Sequence, residues 1–538
     1  MMSEREQDAR LAGLDPRRFS RNEFLKGAMT LGVGAAVTGT VHGNRWLSSL
    51  SVNSVQDKPS RGGKLSVAYI GGGSSETLNP NAPVADIDDA RTLNLYETLF
   101  RLNSDLELEY LLAESVEPNS DATEWTIRLR SGVTFHDGTP FTADDVIYTF
   151  NRIANPKNAA NQQSLLSTLV DVPAIKKLDA RTIRLPLRRA NVFVPYFLYD
   201  DSFSIVKSGW VNSDPPNGTG PFVFQSWKPS QYSVFTRNPH YWQSGLPYLD
   251  ELEMVSIPDP TARFDALVGG EVDGMESLSY SQATSLSHTG QAVVLRAAGS
   301  NMVPIYMAVD LYPFQDVRVR QAMRLIASRT QLVEEAQEGY GQIGNDIFGK
   351  GLPGYDALIP QRVQDIEQAK FLLKKAGRED LNIPLYSSTV ATGMLESATV
   401  FATEASKANI TITVKELSAA IYFGPVYLKQ NFAQSEWFTV PLITHWSQSM
   451  APGAEFNETH WHDPQWDSLY TQLLAEKDPG KQQDLEYELE KIEWERGGYL
   501  DWGFYPLLDG LAHNVRGISP SKCFPLGGGV FSRAWLAT

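Results

Sequence analysis

The chain has a single cysteine, Cys523, in 538 residues. That excludes a disulfide framework, a Cys-x-x-Cys redox pair and any multi-cysteine metal site. A lone cysteine can serve as a nucleophile, but free cysteine is more often a small buried residue, and Cys523, between Lys522 and Phe524, is read that way. Positive charge is also short: 47 Lys and Arg stand against 63 Asp and Glu, a net charge of −16. Such a surface repels phosphate backbones, so no nucleic-acid partner is expected. Catalytic signatures are missing as well. There is no Gly-x-Ser-x-Gly elbow, no His-Glu-x-x-His and no phosphate-binding Gly-x-x-x-x-Gly-Lys-Ser/Thr. No repeat of about 20–50 residues is present, which excludes a solenoid.

What remains is a chain rich enough to fold. Its 42% hydrophobic content can bury a large core, and its length suggests roughly two to four folding units. The first segment reads as a targeting signal rather than fold. Arg17, Arg18, Arg21 and Lys26 precede an uncharged, Gly-, Thr- and Ala-rich stretch from Gly27 to Asn44. That stretch is too weakly apolar for a spanning helix, which needs about 20 strongly apolar residues. Ser20-Arg21-Asn22-Glu23-Phe24-Leu25-Lys26 resembles the twin-arginine export motif, with Asn22 in place of the second arginine. No lipid-bearing cysteine follows and no small-x-small cleavage site is clear, so anchoring by an uncleaved N-terminus stays open. An amphipathic N-terminal helix of a cytosolic protein is the alternative. Residues 45–62 are polar and read as a flexible tether.

Strands are expected at Lys64–Ile70, Trp125–Arg130, Thr182–Leu187, Leu252–Ile257 and Ile410–Glu416 from alternation. Helical spacing marks Ala90–Phe100, Phe141–Ile153, Thr261–Val268, Val317–Ala327, Asp365–Ala376, Pro464–Ala475 and Lys481–Glu495. Thr142, three residues before Asp145, reads as an N-cap, and Gly377 as a C-cap. A hairpin is expected where Phe222–Phe224 and Tyr232–Thr236 flank Lys228-Pro229-Ser230. Gly71-Gly72-Gly73-Ser74-Ser75, directly after the first strand, can turn sharply or approach a ligand closely. The irregular order of elements fits a mixed α/β class with several lobes.

Several blocks, in order, then carry a family resemblance. They include Tyr96-Glu97-Thr98-Leu99-Phe100, the run from Trp125 to Pro140, Gly218-Thr219-Gly220-Pro221-Phe222, Arg237-Asn238-Pro239-His240-Tyr241-Trp242, Gly270-Glu271-Val272-Asp273 and Val319-Arg320-Gln321-Ala322. From about Gly63 to the C-terminus the chain resembles the extracellular solute-binding proteins of peptide and nickel ABC importers. The resemblance implies a periplasmic-binding-protein-like α/β fold, two lobes with a hinge and an extra subdomain inserted in the first lobe. With residues 1–44 read as the export signal, by analogy 63–82, 210–296 and 500–538 form the first lobe, 83–209 the inserted subdomain, and 297–499 the second lobe. The hinge crossings fall near 296 and 500. Most of the matched residues are read as scaffold. His136 beside Asp137 is a turn rather than a catalytic dyad, and Asn238 to Trp242 is a packed corner.

Two segments match the family's cleft-lining positions. The implied ligand contacts are Gly73, Ser74 and Ser75 in the glycine loop, and Trp446, Ser447, Gln448 and Ser449, taken to follow a strand of the second lobe. Trp446→Ala is therefore expected to weaken binding and leave folding intact. Peptide binders of this family place an Asp within three residues of such a Trp, to pair with the peptide's ammonium. Here Ser449 stands there, and a neutral hydrogen bond is weaker than a charge-assisted one. Glu76 and Glu455 are candidates to compensate. The surrounding aromatics, Tyr422, Phe423, Tyr427, Trp437, Phe438, Trp461 and Trp466, suit sugar rings or apolar side chains, or else fill the core. His445, His460, His462 and Asp463 are donors that nickel or zinc accepts, but no accompanying acid–histidine helix motif is present, so no metal or cofactor is assigned.

The expected function is capture of a small solute, an oligopeptide or related compound, with an oligosaccharide or nickel chelate as alternatives, by a monomer that delivers it to an ABC permease outside the cytoplasm. A secreted hydrolase is the second class, and a sensor or chaperone-like receptor on the same fold the third. Paired carboxylates are the one enzymatic feature a sequence does not reveal.

Overall fold

A computed structural model describes residues 58–537, except 419–420 and 423–425. The export signal and most of the tether lie outside the described residues.

Three sheets organise the chain. The largest has eight strands, in the order Val293–Met302, Gly503–Leu511, Gly274–Met275, Lys64–Tyr69, Glu251–Ser256, Tyr232–Arg237 and Phe222–Lys228, with Gln342–Ile343 paired to the other edge of Gly503–Leu511. Lys64–Tyr69 runs parallel to both its neighbours, while the remaining pairs are antiparallel. A second sheet of five strands orders Thr411–Leu417, Asn382–Ser388, Phe432–Gln434, Ile305–Met307 and Tyr499–Leu500. A third, four-stranded sheet is antiparallel and draws on Ala113–Pro118, Glu124–Leu129, Thr182–Pro186 and Lys176–Asp179. The chain passes from the first sheet to the second between Met302 and Ile305, and back between Leu500 and Gly503.

Local rules account for much of this. Trp125, Ile127 and Leu129 alternate inward on Glu124–Leu129, as a sheet with one solvated face requires. Helix Ala143–Ala154 starts at Thr142, where Asp145 Oδ2 accepts from the Thr142 amide at 2.8 Å and the Thr142 hydroxyl at 2.9 Å, and buries Val146, Phe150 and Ile153. Gly377 ends helix Ile366–Ala376 at φ 66°, the left-handed region that suits glycine.

Two expectations need correction. Lys64–Tyr69 does not alternate between core and solvent: Leu65, Val67 and Tyr69 enter one core and Ala68 another with Met275 and Leu267. A central parallel strand is covered on both faces, and that burial erases the pattern. The helix expected at Ala90–Phe100 spans Asp86–Leu95 instead, and Phe100–Leu102 is a strand. Asp86, Asp88 and Asp89 place acidic groups in the first turn, where negative charge is favoured by the positive end of the helix dipole. Asp88 also accepts from the amides of Thr77 and Val84, both at 3.1 Å.

The matched blocks converge as scaffold. Glu97 is buried and accepts from Tyr241 Oη at 2.7 Å, Trp242 Nε1 at 2.9 Å and Thr219 Oγ1 at 2.9 Å, which joins three separate blocks at one carboxylate. Between those blocks, Gly218 lies so near the Asp86–Leu95 helix that a Cβ would stand 2.0 Å from the Leu95 carbonyl oxygen. His136 accepts from the Gly218 amide at Nδ1, 3.3 Å, and faces the Gly220 carbonyl with Nε2, 3.1 Å. Burial lowers its pKa to about 4. Asp137 turns away to Lys207 at 2.6 Å, so the pair forms no dyad.

Candidate ligand cleft

A cavity of about 840 Å³ opens where the sheet regions meet. Its walls come from widely separated stretches: Ile70 at the end of the first strand, Asp86, Asp89 and Leu93 on helix Asp86–Leu95, residues 199–202, residues 277–280, Glu436 with residues 438–440, and Tyr505 to Leu508 on the long strand Gly503–Leu511. The size suits a small solute, since ligand cavities run about 300–1,000 Å³.

None of the residues Gly73, Ser74, Ser75, Trp446, Ser447, Gln448 and Ser449 lines this cavity. The glycine loop forms a short 3-10 turn, Gly73–Ser75, with exposed serines. Its tight geometry begins at Gly71, where a Cβ would meet Ser256 Oγ at 1.6 Å. Trp446 lies in helix Leu442–Ser449, not after a strand, and is completely buried. It packs edge-on against Trp466 at 6.1 Å and donates from Nε1 to Glu493 Oε2 at 3.1 Å. A ring with no exposed surface cannot touch a ligand unless this core opens. Ser449 is equally buried and donates to the His445 carbonyl at 2.8 Å, and Ser447 donates to Thr444 O at 2.8 Å. The segment that does follow strand Phe432–Gln434 and reaches the cavity is 435–440, with Glu436 and Phe438. The tryptophan there is Trp437, whose Nε1 turns inward to Glu458 Oε1 at 2.7 Å.

The compensating acids also differ from expectation. Glu76 pairs through Oε2 with Arg91 at 2.8 Å, and Arg91 also holds Asp88 at 2.7 Å, all three essentially without solvent contact. Glu455 is exposed and outside the cavity. The acids that face the cavity are Asp86, Asp89, Asp200, Asp201 and Glu436. Burial raises the pKa of Asp86 and of Glu436, which accepts from Tyr505 Oη at 2.8 Å. Burial, and then the charge of neighbouring carboxylates, raises both Asp89 and Asp201, while a hydrogen bond to Asp201 pulls Asp89 the other way. Of the arginines on the wall, Arg101 is paired with Glu109 at 2.7 Å, and Arg263 donates to the carbonyls of Ile257 at 2.7 Å and Glu276 at 3.2 Å.

Sequence reasoning missed these acids because nothing in Asp86-Ile87-Asp88-Asp89 or Asp200-Asp201 taken alone separates a cavity-facing carboxylate from a solvated one. A usable signal was their position ahead of helical turns, where carboxylates are held in place rather than free. Cys523 is partly buried on the cavity wall, with Sγ 3.2 Å from Ser521 Oγ, and burial raises its thiol pKa, which disfavours the nucleophilic thiolate. His445 is buried and stacked on Phe348 at 3.9 Å, while His460 and His462 pair separately with Asp310 at 2.7 Å and Asp467 at 2.9 Å. Among the described residues no helix is long and apolar enough to cross a membrane.

Two α/β bodies joined by two chain crossings, with a further subdomain on the first and a cavity at their junction, define a two-lobed cleft receptor. Comparison with known proteins agrees. Residues 107–468, more than half of the chain, match the family described as bacterial extracellular solute-binding proteins, family 5, and the chain belongs to that family. It is similar to the glutathione-binding protein GsiB of Salmonella typhi, 25% identical over 497 residues, with 88% of this chain and 96% of the relative covered. The Escherichia coli K12 relative of that name is 24% identical, with 83% and 90% covered. Among solved structures, the periplasmic binding protein DppA of Helicobacter pylori with the peptide STSA superposes with a TM-score of 0.76 at 21% identity, covering 90% of this chain and all of that one. AgaA of A. tumefaciens R10 with agropinic acid gives a TM-score of 0.75 at 22% identity, with 88% and 99% covered. NikZ of Campylobacter jejuni with Ni(L-His) gives 0.72 at 18% identity, with 86% and 97% covered. The protein is thus a solute-binding protein of the ABC-importer type, and its family is one of binding proteins.

Proposed function

We propose that this chain is an exported receptor that takes a small solute, an oligopeptide or a compound of similar size, into the 840 Å³ cavity and hands it to a membrane ABC permease. The observation that carries this reading is the make-up of the cavity wall. Stretches from residue 70 to residue 530 meet around one space, so a ligand bound there ties distant parts of the chain together. Closure would rotate the two large sheet bodies about the crossings at 302–305 and 500–503, with residues 83–209 carried on the first body as an inserted subdomain. Differential contact with the solute in the closed form would shift that equilibrium. The contacts are assigned to Asp86, Asp89, Asp201, Glu436, Phe438 and Tyr505 in place of the Trp446 segment. The chain would act as a monomer, exported through the signal in residues 1–44.

The sugar-platform alternative loses its support, because Tyr422, Trp437, Trp446, Trp461 and Trp466 are buried and Phe438 alone of the described candidates in that group faces the cavity. Thermal-shift screening against oligopeptides, oligosaccharides and nickel chelates tests the reading. A true solute at a hundred times its Kd adds about 2.7 kcal/mol and raises the midpoint. Unchanged midpoints across all three classes would refute it.

A further inference from the structure

Beside the cavity, a strip of chain joins the two bodies without passing through it. Residues 191–197 follow the four-stranded sheet, and Asn191 fixes them to it. Its amide donates to the Ala122 carbonyl at 2.9 Å, and its carbonyl accepts from Trp125 Nε1 at 2.9 Å. From that base the strip reaches two helices of the second body. The Val192 amide donates to the Leu474 carbonyl at 2.8 Å. Leu474 lies in the last turn of helix Pro464–Ala475, where carbonyls have no partner inside the helix, so the strip supplies a missing donor. Thr444 Oγ1, on helix Leu442–Ser449, donates to the Tyr196 carbonyl at 2.8 Å. Lys477 adds a third bridge. Its Nζ donates to the carbonyls of Asn119 at 2.6 Å and Ser120 at 2.7 Å, in the turn between strands Ala113–Pro118 and Glu124–Leu129. Asn119 Oδ1 braces that turn by accepting from the amides of Thr123 at 2.9 Å and Glu124 at 3.1 Å.

Apolar side chains fill the seam between these bridges. Leu169, Phe193 and Phe197 share one cluster with Leu442, Leu469 and Leu474 of the second body. The seam begins where the cavity wall ends. On one side the strip continues into the wall at residues 199–202, and on the other the wall at residues 438–440 leads into helix Leu442–Ser449. Val192, Phe193, Tyr196, Thr444, Leu474 and Lys477 themselves do not line the cavity. Parting the two bodies along that wall therefore breaks the seam as well. Its bonds run from protein to protein, so they favour the closed form whichever solute is held.

Resting on the reading of the chain as two bodies that close over this cavity, we propose that residues 191–197 and Lys477 form a latch. Through it the subdomain built on the four-stranded sheet grips helices Leu442–Ser449 and Pro464–Ala475. The latch holds the cleft shut with contacts that no solute makes. A receptor whose closed form is populated in advance loses less affinity to its open population. Residues well outside the cavity thereby set how tightly any solute is held, while the cavity wall sets which solute it is.

Small-angle X-ray scattering of the full chain, without added solute, tests this. The double variant Lys477→Ala/Thr444→Val removes two of the three bridges, and Val keeps the shape of the Thr444 side chain. Its radius of gyration is expected to rise by about 1 Å as the bodies part, with the near-ultraviolet circular dichroism of the folded chain retained. Lys477→Asp alone, at an exposed position, is expected to shift the radius in the same direction, because a carboxylate there repels the two carbonyls. Phe438→Ala, on the cavity wall, is expected to leave the radius unchanged. A radius equal to that of the unsubstituted chain in both latch variants makes the seam permanent scaffold and overturns the latch. A rise that comes only with loss of the near-ultraviolet signal is unfolding and overturns it too. Neither result touches the solute-receptor reading, which stands or falls on the thermal-shift screen.

Discussion

Two neighbouring segments of the second body behave in opposite ways. Glu436 and residues 438–440 line the cavity, with Phe438 58% exposed, whereas helix Leu442–Ser449 puts Trp446 at 0% exposure inside a core with Trp466, Tyr470 and Leu489. Both segments carry aromatic residues. What separates them is their partners. Trp446 has a buried carboxylate for its indole N–H and Trp466 packed edge-on against it, and burial raises the Glu493 pKa to about 7. Phe438 stands free at the wall of a space. An aromatic ring with every side occupied stabilises the protein, and one with an open side can bind something.

Substitutions on the two sides should therefore separate stability from affinity. Trp446→Ala has the largest expected effect, a loss of about 3–5 kcal/mol of stability from the cavity it leaves and the hydrogen bond it removes from Glu493. Chemical denaturation measures it. Affinity for a solute found by screening should stay within about twofold while the variant is folded. A normal denaturation midpoint with lost affinity would return Trp446 to the binding site. Phe438→Ala should show the converse at smaller size. Stability is expected to change by less than about 0.5 kcal/mol for an exposed side chain, and affinity to fall by about tenfold, measured by titration, for loss of apolar contact with the ligand. An unchanged affinity would remove Phe438 from the contact set.

Much of this architecture was legible in the sequence, for identifiable reasons. Helices with a strong cap, such as the one that starts after Thr142, and strands with one solvated face, such as Glu124–Leu129, follow local rules that burial elsewhere does not override. The ordered blocks also disclosed the family, and the structure explains why they mark it: Glu97, Thr219, Tyr241 and Trp242 form one buried knot. The binding residues were far less legible. The Trp446 segment matches the family's cleft-lining positions only as a tryptophan taken to follow a strand, yet the strand that sets the register, Phe432–Gln434, has only three residues and leaves no alternation to count. Asp86 and Asp89 differ from Asp88 only in the direction they face on one helix. That distinction depends on Arg91 and Glu76 packing beneath it, which is a property of the assembled fold.

The central claim is that solute contacts fall on the cavity wall and not on the tryptophan helix. Hydrogen–deuterium exchange of the full chain, with and without a saturating solute, tests it most directly. Protection is expected at residues 199–202, 277–280 and 436–440, with Leu442–Ser449 unchanged. Protection centred on Leu442–Ser449, with none at 436–440, would contradict the account.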